Sequence, residues 1–168
     1  LAKQSGLVVV TPQDFGGKKP TIRQIKEVAK ELDIDIVFLD QLSLLDDERS
    51  SDNKTVRYGN ISQDVLLASK ELQIPFITVA QANRESEKDK KDNAPKLHQI
   101  EYSDQVGQDA TRAVSIKYSE GILTISLNKN RFGGKNVDVM LKWDIDKGII
   151  EPMLSQDELS DLGEEFGF

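Results

Sequence analysis

Apolar positions along this chain fall into short unbroken runs separated by stretches with helical spacing. Three runs, at 7–10, 36–39 and 74–80, lack polar alternation, which is typical of strands buried on both faces of a sheet. Between them the pattern predicts a helix that follows Thr21 as its N-cap, and a second helix over 61–73. The chain is therefore predicted to begin strand, helix, strand, helix, strand.

The remainder of the chain adds further predicted strands at 112–118, 121–127 and 137–143, with a hairpin turn between the first two. The polar segment 46–60 predicts a mobile loop, and the charged segment 83–96 predicts a disordered one. This order predicts an α/β fold with a mostly parallel central sheet, antiparallel strands at its edge and helices on both faces.

Composition narrows the possible functions. The chain has 168 residues, no cysteine and a net charge of -7, which excludes disulfides and thiolate metal sites and argues against a broad basic surface for nucleic acid. No stretch has the length of a membrane span. We predict one domain over 1–152 and an acidic tail over 153–168. Because the first residue is Leu1, we expect the chain to be part of a longer protein.

Polar residues follow two of the predicted parallel strands directly. Asp40 ends the run at 36–39, and Gln81 ends the run at 74–80. Ligands of open α/β sheets bind at the carboxyl ends of the strands, and Mg²⁺ prefers carboxylate and phosphate oxygens. The two residues are therefore candidates for a phosphate and metal site. The alternative is that each residue only marks the exit of its strand to solvent.

The segment NKNRFGG places Lys129 and Arg131 two positions apart at the end of a predicted strand. Two cations on one side of a strand suit a phosphate, and an arginine can stabilise the transition state of phosphoryl transfer. A hairpin with solvated basic residues is the alternative. Asp109, just before another strand, is either a helix cap or a member of a polar network. The phosphate-binding loop G-x-x-x-x-G-K-[ST] does not occur in the sequence.

Four motifs in this order resemble the motor domain of DnaB-type replicative helicases, which have RecA-like folds. IDIVFLDQLSLL resembles the Walker B strand and IPFITVAQANRE the SQLNR strand end, while GQDA is similar to EQDAD and LNKNRFGG to K-x-R-x-G. The resemblance runs from about Leu7 to Glu151. KNRFG also resembles the RadA-type recombination ATPases, so that family remains an alternative.

The resemblance implies a role for each motif. Asp40 is expected to order the water shell of Mg²⁺, Gln81 to sense the terminal phosphate, and Arg131, with Lys129 beside it, to reach the ATP of a neighbouring subunit. The positions that match the family's DNA-contact elements are Asn83, Arg84, Glu101, Ser103 and Gln108. The segment before GQDA lacks the basic residue and the glycine that the family has there.

The function implied by the resemblance is that of an ATP-dependent replicative DNA helicase that translocates on single-stranded DNA. ATP and Mg²⁺ are its implied cofactors. Single-stranded DNA, a hexameric ring of identical subunits, and a primase or helicase loader are its implied partners, and the cytoplasm of a bacterial or phage-infected cell is its implied location. We expect the phosphate-binding loop upstream, so that this chain alone is inactive. A non-catalytic binding module is a further alternative.

Overall fold

The structure, a computed structural model, describes residues 6–82, 94–95, 104–134 and 137–153. The chain divides into two compact units, 1–80 and 81–168. The described helices and strands are α1 (Ile22–Glu31), β1 (Val37–Leu39), α2 (Lys54–Leu72), β2 (Phe76–Thr78), α3 (Asp104–Asp109), β3 (Arg112–Ser119), β4 (Ile122–Asn130), β5 (Val137–Asp144) and β6 (Ile149–Pro152). Within these residues, no helix combines the length and apolar character needed to cross a bilayer.

Helix α1 begins where the sequence predicts. The Thr21 hydroxyl accepts a hydrogen bond from the backbone N–H of Gln24, and the Gln24 side chain accepts one from the backbone N–H of Thr21, at 3.0 Å. The apolar face buries Ile22, Ile25 and Ala29. The N-cap and the apolar spacing together fix this helix against the first unit, and the prediction is confirmed.

Helix α2 is longer than predicted, because it begins at Lys54 and not near residue 61. The Asn53 side chain caps it by accepting hydrogen bonds from the backbone N–H groups of Thr55 and Val56, at 2.9 and 3.3 Å. The prediction of a mobile loop over 46–60 is therefore wrong in its second half. The first turns of the helix are mostly polar, which hides the apolar period there.

Strands β1 and β2 pair in parallel, with Phe38 opposite Ile77. The burial predicted for both faces is wrong in the part of the chain that the structure describes: Phe38 is 67% exposed and Ile77 46% exposed, while Leu39 is buried on the other face. The predicted strand at 7–10 also does not form, because no described strand pairs with Val8–Val10 to satisfy their backbone groups.

The second unit contains an antiparallel sheet in the order β3-β4-β5-β6. The predicted hairpin between β3 and β4 is confirmed, with Glu120 and Gly121 both at positive φ, as a two-residue turn of the type that matches strand twist requires. The rings of Tyr118 and Trp143 meet edge to face with centroids 5.2 Å apart. This sheet carries the cations Lys129 and Arg131 at the end of β4.

Candidate functional site

The end of β1 holds Asp40 between two anchored residues. The backbone N–H of Val79 donates to the carbonyl of Leu39 at 3.1 Å, and the N–H of Leu42 donates to the carbonyl of Val79 at 3.0 Å. Leu39 and Leu42 are both buried. Asp40 itself is exposed and makes no hydrogen bond or ion pair with any described residue. A free carboxylate on a fixed backbone can accept an outside ligand.

A single carboxylate suits Mg²⁺ that arrives with a nucleotide better than a metal held by protein alone. Among the described residues, no group of three or more His, Cys, Asp or Glu side chains could hold an ion. Mg²⁺ keeps several waters and is commonly bound through one or two carboxylates plus phosphate oxygens. The Asp40 carboxylate fits that donor set, and the remaining oxygens would come from the nucleotide and water.

The loop that follows Asp40 is fixed by a buried carboxylate that sequence reasoning missed. The side chain of Asp47 is 1% exposed and accepts hydrogen bonds from Asn60 Nδ2 at 2.7 Å, from the Arg49 backbone N–H at 3.1 Å and from Arg49 Nε at 3.2 Å. Arg49 also pairs with Asp64 of α2. Burial alone would raise the pKa of Asp47, but the hydrogen bonds from Asn60 and Arg49 and the Arg49 charge outweigh it and lower the pKa.

We expect Asp47→Ala to reduce the stability of this region by about 3 kcal/mol, because the donors of Arg49 and Asn60 lose their buried acceptor. Hydrogen exchange of the α2 amides in the full-length protein measures the change. Because the folded-state pKa of Asp47 lies below its ordinary value of 3.8, its contribution is present above pH 4 and is lost as pH falls through the folded value. The exposed Asp52→Ala is the control, and an equal effect there would contradict the assignment.

The end of β4 brings Lys129 and Arg131 together on the last turn of α3. Lys129 Nζ donates to the carbonyls of Gly107 and Gln108 at 2.8 and 2.7 Å, and Arg131 Nη2 donates to the same Gln108 carbonyl at 2.7 Å. Burial, and then the charge of Arg131, lower the pKa of Lys129 against the opposing effect of Asp109. Both cations thus lie at the negative end of a helix.

A bulge in the hairpin sets the direction of Lys129. The register of β3 and β4 shifts between Ala113, which lies opposite Lys129, and Val114. Bulges of this kind redirect side chains and recur beside functional sites. Asn128, the residue before Lys129, donates to Ser115 Oγ at 2.7 Å and to the Pro95 carbonyl at 3.0 Å. The sequence analysis missed this organising role of Asn128, although the motif NKN contains it.

The turn after β4 presents an aromatic side chain next to Arg131. Phe132 is 78% exposed, and its backbone N–H donates to Asn130 Oδ1 at 3.2 Å. The guanidinium of Arg112 lies 6.0 Å from the centroid of the Phe132 ring. The exposed tip of this turn is therefore a cationic and aromatic surface.

Asp109 closes α3 as a member of a polar network. Its Oδ1 accepts a hydrogen bond from Gln105 Nε2 at 2.8 Å. Its Oδ2 is buried and has no hydrogen-bond partner among the described residues. Of the two alternatives that the sequence leaves open for Asp109, the structure therefore favours the network.

The remaining predicted site residues differ in what the structure describes. Gln81 is exposed at the start of the second unit, and Gln108 is exposed on α3. The other predicted DNA contacts lie outside the described residues, namely Asn83, Arg84, Glu101 and Ser103. The structure thus brings Lys129, Arg131 and Gln108 together, and it describes Asp40 and Gln81 in separate units.

The chain is similar to known helicases along most of its length. It is 30% identical over 120 residues to a probable plasmid replicative DNA helicase of Chlamydia psittaci, an alignment that covers 67% of this chain and 26% of that protein. It is 33% identical over 89 residues to the replicative DNA helicase DnaB of Helicobacter pylori strain J99, covering 53% of this chain and 18% of that protein. The chain therefore spans about a quarter or less of these relatives.

Solved structures agree on the fold. A DnaB-like replicative helicase studied with its primase interactions superposes with a TM-score of 0.73 at 22% identity, covering 80% of this chain and 36% of that one. A helicase ATPase domain superposes with a TM-score of 0.72 at 22% identity and is covered to 52%. These neighbours confirm the predicted α/β, RecA-like fold. Since residues 16–146 also match the family described as DnaB-like helicase C terminal domain, the chain belongs to that family.

Proposed function

We propose that, in the full-length protein, this chain forms part of an ATP-driven motor that translocates along single-stranded DNA and unwinds the duplex. The observation that carries the proposal is the pair of cations at the end of β4, with Arg131 next to an exposed turn. Family membership and the replicative helicases among its relatives support it.

ATP with Mg²⁺ supplies the phosphoryl group whose hydrolysis drives such a motor. In this proposal the Asp40 carboxylate accepts hydrogen bonds from the water shell of the metal. Gln81 donates a side-chain N–H to the terminal phosphate, and Arg131 neutralises charge on the nucleotide of a neighbouring subunit. The free carboxylate of Asp40 at a fixed strand end supports the first of these roles.

The DNA-contact side of the motor is proposed at the residues that precede and form α3. Gln108 is exposed and can donate or accept hydrogen bonds with a sugar-phosphate backbone. We include Asn83, Arg84, Glu101 and Ser103 in the same surface by their match to the family motifs. The net charge of -7 means that these contacts must be local and few.

The full-length protein is proposed to act as a hexameric ring of identical subunits in the cytoplasm of a bacterial or phage-infected cell, with a primase or a helicase loader as partner. A ring places the end of one subunit's β4 next to a nucleotide bound by the next subunit. The solved helicase with primase interactions supports the choice of partner class.

Strand separation by the full-length protein tests the proposal. With ATP and Mg²⁺, we expect it to separate a forked duplex that has a single-stranded tail and to leave a blunt duplex intact. No unwinding, or action on branched DNA in preference to the fork, would contradict the proposal and favour a RadA-type recombination ATPase.

A further inference from the structure

The last turn of α3 is fastened to the end of β4 by side chains that donate to its carbonyls. Lys129 bonds two successive carbonyls, at Gly107 and Gln108, and Arg131 shares the second. The backbone N–H of Arg131 also donates to the carbonyl of Thr111 at 3.1 Å, just beyond the helix. Four hydrogen bonds thus join the helix end to this part of the strand.

These contacts form a mechanical link. Gly107 is buried, and the Lys129 stem is partly buried, so neither group is free to rearrange independently. The terminal carbonyls of a helix carry partial negative charge, which strengthens the hold of a cation. A displacement of α3 must either break these bonds or move the end of β4 with it.

Gln108 joins the two sides of this link in one residue. Its side chain is exposed and is a proposed DNA contact, while its carbonyl accepts hydrogen bonds from both Lys129 and Arg131. A force applied to the Gln108 side chain therefore reaches the guanidinium of Arg131 through a single backbone carbonyl.

We propose that Lys129 is a positioning residue that fastens α3 to the end of β4, so that DNA bound at Gln108 sets the position of Arg131. This inference rests on the proposed function, in which Arg131 acts on a nucleotide. It assigns Lys129 an action through α3 and not a contact with the nucleotide.

The test uses Lys129→Met in the full-length protein, which keeps most of the apolar stem and removes the ammonium group. ATP hydrolysis is measured with and without oligothymidylate, and the ratio of the two kcat values is the stimulation factor. We expect this factor to fall by about fivefold or more toward one, which is the size of a typical coupling between sites. Lys129→Arg, which retains donors for both carbonyls, should recover part of it.

Lys142→Met is the matched control, because Lys142 is an exposed lysine on β5 of the same sheet. It should leave the stimulation factor unchanged. An equal fall in kcat with and without DNA in Lys129→Met would overturn the inference and assign Lys129 to the nucleotide itself or to stability. No change in either rate, or an unmutated protein that DNA does not stimulate, would overturn it as well. Absence of unwinding by the unmutated protein contradicts the proposed function separately.

Discussion

Arg131→Ala in the full-length protein is expected to lower the rate of ATP hydrolysis about 1,000-fold or more, the effect of removing an arginine that stabilises phosphoryl transfer. Nucleotide binding should remain close to normal, because the guanidinium contributes chiefly when charge develops on the transferred group. Steady-state hydrolysis and equilibrium binding of a labelled ATP analogue measure the two quantities.

The matched control for this substitution is Arg112→Ala. Arg112 lies on the partner strand of the same hairpin, close to Phe132, and its loss removes the same charge from the same region. We expect it to change hydrolysis only slightly. If Arg131→Ala retained hydrolysis within a few-fold of the unmutated protein, Arg131 could not have the role proposed for it.

Asp40→Asn should raise the Mg²⁺ concentration required for half-maximal hydrolysis by about 10- to 100-fold, as expected for the loss of a group that orders the waters of a metal. Asparagine has nearly the same shape but no negative charge. The surrounding backbone bonds of Leu39 and Leu42 to Val79 do not involve the side chain and should persist. Hydrolysis measured over a Mg²⁺ titration gives the shift.

Asp35→Asn provides the comparison, since Asp35 is an exposed acid two positions before β1. It removes one charge near the same strand at its opposite end. An unchanged Mg²⁺ requirement in Asp40→Asn, or the same shift in both variants, would show that Asp40 does not act on the metal.

Local signals in the sequence predicted the elements that depend on local bonds. Thr21 and Gln24 cap α1 reciprocally within one turn, and Glu120 and Gly121 form the hairpin turn without help from distant residues. Such features follow from side-chain chemistry within a few positions. They were therefore predictable from the order of residues alone.

Elements that depend on distant partners were harder to predict. The segment 46–50 looks like an unstructured polar stretch, yet Asp47 is buried because Asn60, thirteen positions away, supplies a donor. The exposure of Phe38 was also mispredicted, because a run of apolar residues states a preference for burial and cannot say which described element covers each face.

The candidate site shows the same division. The spacing of Lys129 and Arg131 indicated that the two side chains belong together, and the structure brings both to the Gln108 carbonyl. The acceptors are backbone carbonyls, which every residue possesses, so the sequence contained no sign of them. The bulge between Ala113 and Val114, which directs Lys129, likewise depends on the pairing of two strands.

Mixing two inactive variants tests most directly whether the site is completed by a neighbouring subunit. Full-length Arg131→Ala and Asp40→Asn are combined at limiting Mg²⁺ under conditions that exchange subunits, and ATP hydrolysis is followed. We expect activity to return, because an Asp40→Asn subunit can supply Arg131 to an Arg131→Ala subunit whose Asp40 is intact. A mixture no more active than the two variants measured separately would contradict a site shared between subunits.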